Sequence, residues 1–551
     1  MKDIIIVRPD KCVGCNACIR CCPAPEANIV KMLDNGKIYT TVNADKCIAC
    51  GQCIEACTHG ARDYVDDTAV FMSRISDGKY AIIVDPAIKT AFPNQWKGIL
   101  EWFRKKSFLI FDGAFGADIY TWAMLGVVDS NNVGNVISES CSSVVNYISM
   151  YHPSLVQNLP PICSPTLCSA VYIKNYLRRN EKLVVLSPCI ARKYECAETG
   201  LIDYNITFKK LMEYFEKNDI VIPKENYPNF EYESFERPGM IGGLCSRPGG
   251  LCDNLLNFNL DINAIYSSGT QRVADEISLY SRTEAKNLPS VFDMLSCDYG
   301  CGYGSGTDRS AKTSYEVIAS FKAMEADIRS KAKNKGKLKF GDEKAFRKLD
   351  DELDLNDFVR TFTPRRASPV PTDADLEPIF EQMGKSTEAQ RTINCGNCGF
   401  KTCRDLATAI YRGINIIQSC VNYSQQKSVV AADNAKIEEE TKKYEELSAK
   451  ISEKAKSISE SISKIDEAGV KTAEKKDTVN ELLKNIIAFC NKNTTMDENS
   501  VKQMATILET TMKSLESFDE NIGVASENTK LVNDAIKQIN SLIDSVKKNE
   551  E

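Results

Sequence analysis

FDMLSCDYGCGYGSG, Phe292–Gly306, carries two cysteines, Cys297 and Cys301, in a run too rich in glycine for an ordinary helix or strand. Glycine accepts φ > 0 and lets the backbone approach a bulky ligand, so Gly300, Gly302, Gly304 and Gly306 predict a loop wrapped around one. Thiolates on such a loop read first as iron-sulfur ligands, because the chain also carries ferredoxin-type cysteine runs. Two isolated cysteines upstream, Cys141 in SESCSS and Cys189 in SPCIARKYE, complete a set of four. Spacing alone supports an iron-sulfur site and nothing finer.

The ferredoxin-type runs lie at the start of the chain. Cys12, Cys15, Cys18 and Cys22, followed by Pro23, form C-x2-C-x2-C-x3-C-P, and Cys47, Cys50, Cys53 and Cys57 repeat it with Thr58 in place of the proline. In two-cluster ferredoxins the last cysteine of each run serves the other cluster. The expected sets are therefore Cys12, Cys15, Cys18 and Cys57 for one 4Fe-4S cluster, and Cys47, Cys50, Cys53 and Cys22 for the second. Cys21 has no place in this pattern and reads as a spare thiol.

The chain has 551 residues, enough for several domains, and a net charge of −6, which argues against a nucleic-acid partner. Its 23 cysteines cluster in CxxC runs, with no leader-like or membrane-length apolar segment, so the reading is a reduced, cytoplasmic compartment and no membrane. With His59 and His152 as its only histidines, the chain has little material for histidine-based zinc or acid-base chemistry.

From Lys79 apolar strands alternate with amphipathic helices. YAIIVDPAI and SFLIFDG read as strands flanking a helix near Trp96–Lys105, and LVVLSPC ends with Cys189 just past the strand's carboxyl end, where parallel sheets place ligands. The glycine-rich segment Arg237–Cys252 predicts a loop, with Cys245 and Cys252 reading as small buried residues. Residues 331–385 read as a linker, with a charged helix near Asp342–Val359 and the proline-rich TPRRASPVPTDAD. Next, Cys395, Cys398, Cys403 and Cys420 are spaced C-x2-C-x4-C-x16-C, the last expected at the end of a helix of about four turns. Iron-sulfur and all-thiolate zinc both suit that spacing. From Val501 to Val546 apolar residues recur in steps of three and four for about six heptads, after a similar helix from Tyr444 to Ile465, so the tail predicts a coiled coil. A dimerisation stalk and a chemoreceptor-like signalling hairpin fit it equally.

With FDGAFGADIY (Phe111–Tyr120), YHPSLVQNL (Tyr151–Leu159) and CSPTLC (Cys163–Cys168), the region from about Lys2 to Arg309 resembles the iron-only (FeFe) hydrogenases. The family signatures TSCCPxW, MPCxxKxxE and ExxxCxxxCxxGGG are met by Ser138–Cys141, Ser187–Glu195 and Asp293–Gly306. The resemblance implies a two-lobed α/β H-cluster domain at 77–330, behind an α+β ferredoxin-like domain at 1–76. It further implies a small helical Fe-S module at 386–424, while the heptads themselves give the coiled-coil, chemoreceptor-like tail at 425–551. By the same resemblance Cys141, Cys189, Cys297 and Cys301 hold the 4Fe-4S part of the H-cluster. Cys301 also bridges to a di-iron unit bearing CO, CN and azadithiolate. Hydrogen and protons are the implied substrates, with a ferredoxin-like redox partner.

Several positions depart from the family pattern. Ser140 stands where a cysteine carries the proton, and a hydroxyl does not ionise like a thiol of pKa about 8.5. The family's acidic pair would fall within IYTWAML, just after Asp118, where no glutamate stands, and Pro160 occupies the place of a relay serine. Ser187 and Leu295 replace methionines, and Asp293 replaces a glutamate. Arg192, beside Lys193, takes the lysine position; it can still donate a charge-assisted hydrogen bond, with Glu195 as its expected partner. Cys301, Arg192, Ser140 and Glu195 are thus the expected catalytic residues. Together these changes read as a slow hydrogenase of the sensory branch, a homodimer through its coiled coil, signalling through that tail to a downstream protein. A ferredoxin-coupled catalytic hydrogenase with a proton path through Glu139 is one alternative, and a non-enzymatic hydrogenase-like Fe-S protein is another.

Overall fold

The computed structural model describes residues 4–129, 134–223, 227, 230–232, 239–334, 343–365 and 368–425, with scattered positions beyond. Four short strands open the chain: β1 (Ile5–Val7), β2 (Asn28–Met32), β3 (Ile38–Val42) and β4 (Arg62–Tyr64). β1 pairs antiparallel with β4, and β2 with β3, so the two cysteine runs lie between paired strands as in a ferredoxin-like module.

Seven further strands follow: β5 (Tyr80–Val84), β6 (Leu109–Asp112), β7 (Val136–Ile137), β8 (Lys182–Ser187), β9 (Tyr204–Thr207), β10 (Ala264–Ser268) and β11 (Val291–Leu295). They form two parallel sheets, one in the order β6-β5-β8-β9 and one in the order β10-β11-β7. β5 is buried at every position. Ala81 and Ile83 face one apolar core while Tyr80, Ile82 and Val84 face another, as expected of a continuous apolar run in a sheet covered on both faces. Burial of each such Ile or Val contributes roughly 1.5–3 kcal/mol. The helix Gly113–Asp129 presses on the helix Pro165–Val171 because Gly116 has no side chain; a methyl group there would meet the Pro165 carbonyl and Ser169.

Residues 331–385 are not a plain linker. The helix Glu343–Glu352 buries Phe346 and Leu349 in the main core, Leu353 and Phe358 join them, and Val359 bridges to Ile162. A second helix, Asp373–Gln382, packs on Cys403–Tyr411. Thr372 with Asp375 and Thr402 with Asp405 form capping boxes that start these helices. The helix from Cys403 stops at Tyr411, short of the four turns expected, because Gly413 takes φ 69° and turns the chain. Cys420 follows a separate short turn, Ile417–Ser419.

Residues Met1–Val421 form one compact unit and Asn422–Glu551 a second. Apart from scattered positions, the expected coiled coil lies outside the described residues. No helix among the described residues is long and apolar enough to cross a membrane.

Candidate functional site

The signature segments all leave the carboxyl ends of parallel strands. Ser138–Cys141 follows β7, Pro188–Cys189 follows β8 and Ser296–Cys301 follows β11, so loops of both sheets converge, as parallel sheets favour. Cys141, Cys189, Cys297 and Cys301 line one cavity. Burial pushes the Cys189 thiol up to about 12, with Arg192 pulling it down and the neighbouring cysteines adding to the rise. Four thiols facing one another across this cavity form a donor set that cationic iron would suit, since metal binding takes the proton's place. Of the loop's glycines, Gly300 alone has φ > 0, at 76°. The others are also packed closely against protein: a methyl group at Gly304, which lines the cavity, would meet the Pro188 carbonyl, and at Gly306 it would lie 2.9 Å from Thr207.

A second cavity adjoins the first and shares Ser140, Arg192, Leu295 and Cys301 with it; Asp85, Gly242 and Cys245 add to its wall. Asp118, buried in the FGAD segment, fixes that wall: its carboxylate accepts the Met240 and Gly242 N–H groups, both at 2.6 Å. The Arg192 guanidinium donates to Glu195 Oε2 at 2.7 Å, and Arg360 donates to Glu195 Oε1 at 2.7 Å. Burial pushes the Glu195 carboxyl up, but the two guanidiniums more than offset it and hold it below its ordinary value. Arg192 Nε is buried with no protein partner, a donor left available at the cavity.

Glu139 lines neither cavity. Its Oε2 accepts from the Tyr120 hydroxyl at 3.2 Å, its Oε1 has no partner, and burial pushes it well above the ordinary carboxylate range. Ser187 is also absent from the lining; its hydroxyl donates to Asn205 at 2.6 Å and so ties down the loop that carries Cys189. Cys252 is buried in the helix Gly250–Phe258 outside both cavities, whereas Cys245 faces the second. Sequence reasoning missed Asp85 and Arg360. Asp85 was detectable as an acid at the carboxyl end of an apolar strand; its burial pushes its pKa up while Arg192 pulls it down. Arg360 sits in what read as a linker and left no local signal.

Cys12, Cys15, Cys18 and Cys57 line a third cavity, with Arg62 at its edge. Cys50 is pushed well up by burial and by Cys22, Cys53 and Cys47, which group around it. This second set adjoins the hydrogenase-like loops: Cys47, Ala49 and Cys50 share a core with Ile190 and Tyr194, and Gly51 lies against Ser305. In the C-terminal module Cys398, Cys403 and Cys420 are buried and Cys395 is exposed, with Cys395 and Cys420 both raising the pKa of Cys398. The module docks on the ferredoxin-like strands. Phe400 and Ile416 pack with Cys18, Ile19 and Cys53, the Val30 N–H donates to the Ile414 carbonyl at 2.9 Å, and Arg412 pairs with Glu26 at 3.1 Å.

The family model of the iron-only hydrogenase large subunit, C-terminal domain, matches residues 79–264, which include Cys141 and Cys189 and stop before Cys297. A 4Fe-4S dicluster domain model matches residues 4–58, and an Fe-S cluster domain model matches residues 392–421. No curated protein is significantly similar to the chain. Similar solved structures include an FeFe-hydrogenase from a study of oxygen inactivation of the H-cluster, at 13% identity over 54% of this chain and 99% of that one, with a TM-score of 0.42. A variant of the FeFe-hydrogenase HydA1 from Chlamydomonas reinhardtii aligns at 14% identity over 47% of this chain and 88% of that one, with a TM-score of 0.37. Between the matches to a 4Fe-4S dicluster domain and to an Fe-S cluster domain, residues 79–264 are therefore similar to the C-terminal domain of the iron-only hydrogenase large subunit.

Proposed function

We propose that this protein is a cytoplasmic iron-only hydrogenase of the sensory kind, which interconverts hydrogen and protons slowly at an H-cluster and passes electrons through 4Fe-4S clusters toward its C-terminal module. The observation that carries the reading is the pair of adjoining cavities with Cys301 common to both. Cys141, Cys189, Cys297 and Cys301 would hold the cubane, with Cys301 also joining the di-iron unit. When bound, that group supplies an open iron that acidifies hydrogen and an amine that takes the proton. The chain's own residues shape the rest. Arg192, held by Glu195, offers its unpartnered Nε as a donor to a cyanide, and Asp118 keeps the opposite wall in place. Ser140 lines both cavities where a thiol would carry protons, and Glu139 lines neither, which supports slow turnover.

Cys12, Cys15, Cys18 and Cys57, and Cys47, Cys50, Cys53 and Cys22, would hold the two N-terminal clusters. Cys395, Cys398, Cys403 and Cys420 would hold a C-terminal one. Docking of that module against Cys18 and Cys53 supports an electrical connection between them. A downstream signalling partner and a homodimer through residues 425–551 rest on the heptad sequence alone.

The test is an infrared spectrum after maturation with a synthetic di-iron cofactor, under argon and then hydrogen. Sharp CO and CN bands that shift with hydrogen, together with low turnover, are the expected result. High turnover would overturn the sensory reading. Absent bands, with iron content that still fits several 4Fe-4S clusters, would overturn the hydrogenase reading itself.

A further inference from the structure

We propose that Arg309 is an electrostatic link between the Cys141/Cys189/Cys297/Cys301 site and the neighbouring Cys22/Cys47/Cys50/Cys53 site, a fixed cation that raises the reduction potential of both clusters. The inference rests on the cluster assignments proposed above. Arg309 lies just past the glycine loop, and its side chain is only 10% exposed. One guanidinium nitrogen donates to Cys297 Sγ at 3.8 Å, and another pairs with Glu55. Glu55 ends the short helix Gln52–Glu55, between Cys53 and Cys57. The guanidinium also lies over the Tyr303 ring, 5.2 Å from its centroid, and its charge reaches Cys50 as well as Cys297. The pair, whose members lie 254 residues apart in sequence, thus spans the loops of the two cysteine sets.

Reduction adds negative charge to a cluster, so a nearby buried cation favours the reduced form, and hydrogen bonds to its sulfurs act in the same direction. Glu55 opposes it. Because Glu55 is 43% exposed while Arg309 is largely buried, solvent screens the acid more than the base and the net field at both sites is positive.

EPR-monitored redox titration of the full-length, cluster-loaded protein tests the proposal. Arg309→Gln should lower the potentials of both linked clusters by about tenfold in the reduction equilibrium, ~59 mV for one electron. Glu55→Gln should raise both, Arg309→Lys should stay near the unaltered protein, and the cluster of Cys12, Cys15, Cys18 and Cys57 should not move. A merely structural tie would respond alike to loss of either partner, so shifts of the same sign for Arg309→Gln and Glu55→Gln, or no shifts, overturn the proposal. Should Arg309→Gln lose its clusters, the rise for Glu55→Gln decides alone. Absence of the cluster signals from the unaltered protein would overturn the assignments beneath the proposal, and is seen before any substitution is made.

Discussion

Exchanging Glu195 for glutamine should destabilise the hydrogenase-like domain more than any exchange of its two partners. The Glu195 carboxylate is buried between Arg192 and Arg360, each at 2.7 Å, so the trio carries a net single positive charge. Glu195→Gln takes away the carboxylate both guanidiniums share and leaves Arg360 with the half-exposed Glu198, at 3.1 Å, as its remaining acid; removing one member of a buried pair costs about 3–5 kcal/mol. Arg360→Met leaves Arg192 and Glu195 as a neutral pair. It loses the charged hydrogen bond to Glu195 and packing on Phe362, at a cost of about 1.5–3 kcal/mol. Urea unfolding followed by tryptophan fluorescence reads the domain directly, because Trp96, Trp102 and Trp122 all lie within it. The expected order of midpoints is unaltered protein, then Arg360→Met, then Glu195→Gln. A midpoint for Arg360→Met at or below that of Glu195→Gln would refute the argument that charge imbalance dominates.

Burial pushes Asp293 up to about 7. Between its ordinary value of about 3.9 and that value the unfolded chain releases a proton that the fold retains, so stability falls as pH rises from about 4 to 7 and is level above. Asp293→Asn removes this fall, and its gain in thermal midpoint over the unaltered protein should be larger at pH 8 than at pH 5; an equal gain at both contradicts the assignment. Ser140→Cys should raise hydrogen turnover with a redox dye about a hundredfold, roughly the lower reach of acid-base catalysis, and an unchanged rate would place the limit elsewhere. Gly242→Ala drives a methyl group into the Ala114 carbonyl and the Asp118 backbone, and should cost about 2–3 kcal/mol in the same urea assay; a loss within about 0.5 kcal/mol would show that the wall yields.

What the sequence determined by itself was local. The cysteine runs, the apolar strand Tyr80–Val84 and the position of Cys189 past the end of β8 could be read because ligand spacing, strand burial and strand ends repeat over a few residues. The resemblance to the hydrogenases rested on short segments of that kind. Tertiary structure alone decided which distant groups meet. It set Arg360 on Glu195, 165 residues away, and Arg309 on Glu55 and Cys297. It turned much of an apparent linker into core and seated the C-terminal module on the N-terminal strands. It also withdrew Glu139 from the cavity although its neighbours Ser140 and Cys141 line it. Charges and apolar groups attract through space regardless of separation along the chain, so the sequence shows which groups are available and only the folded packing shows which of them pair.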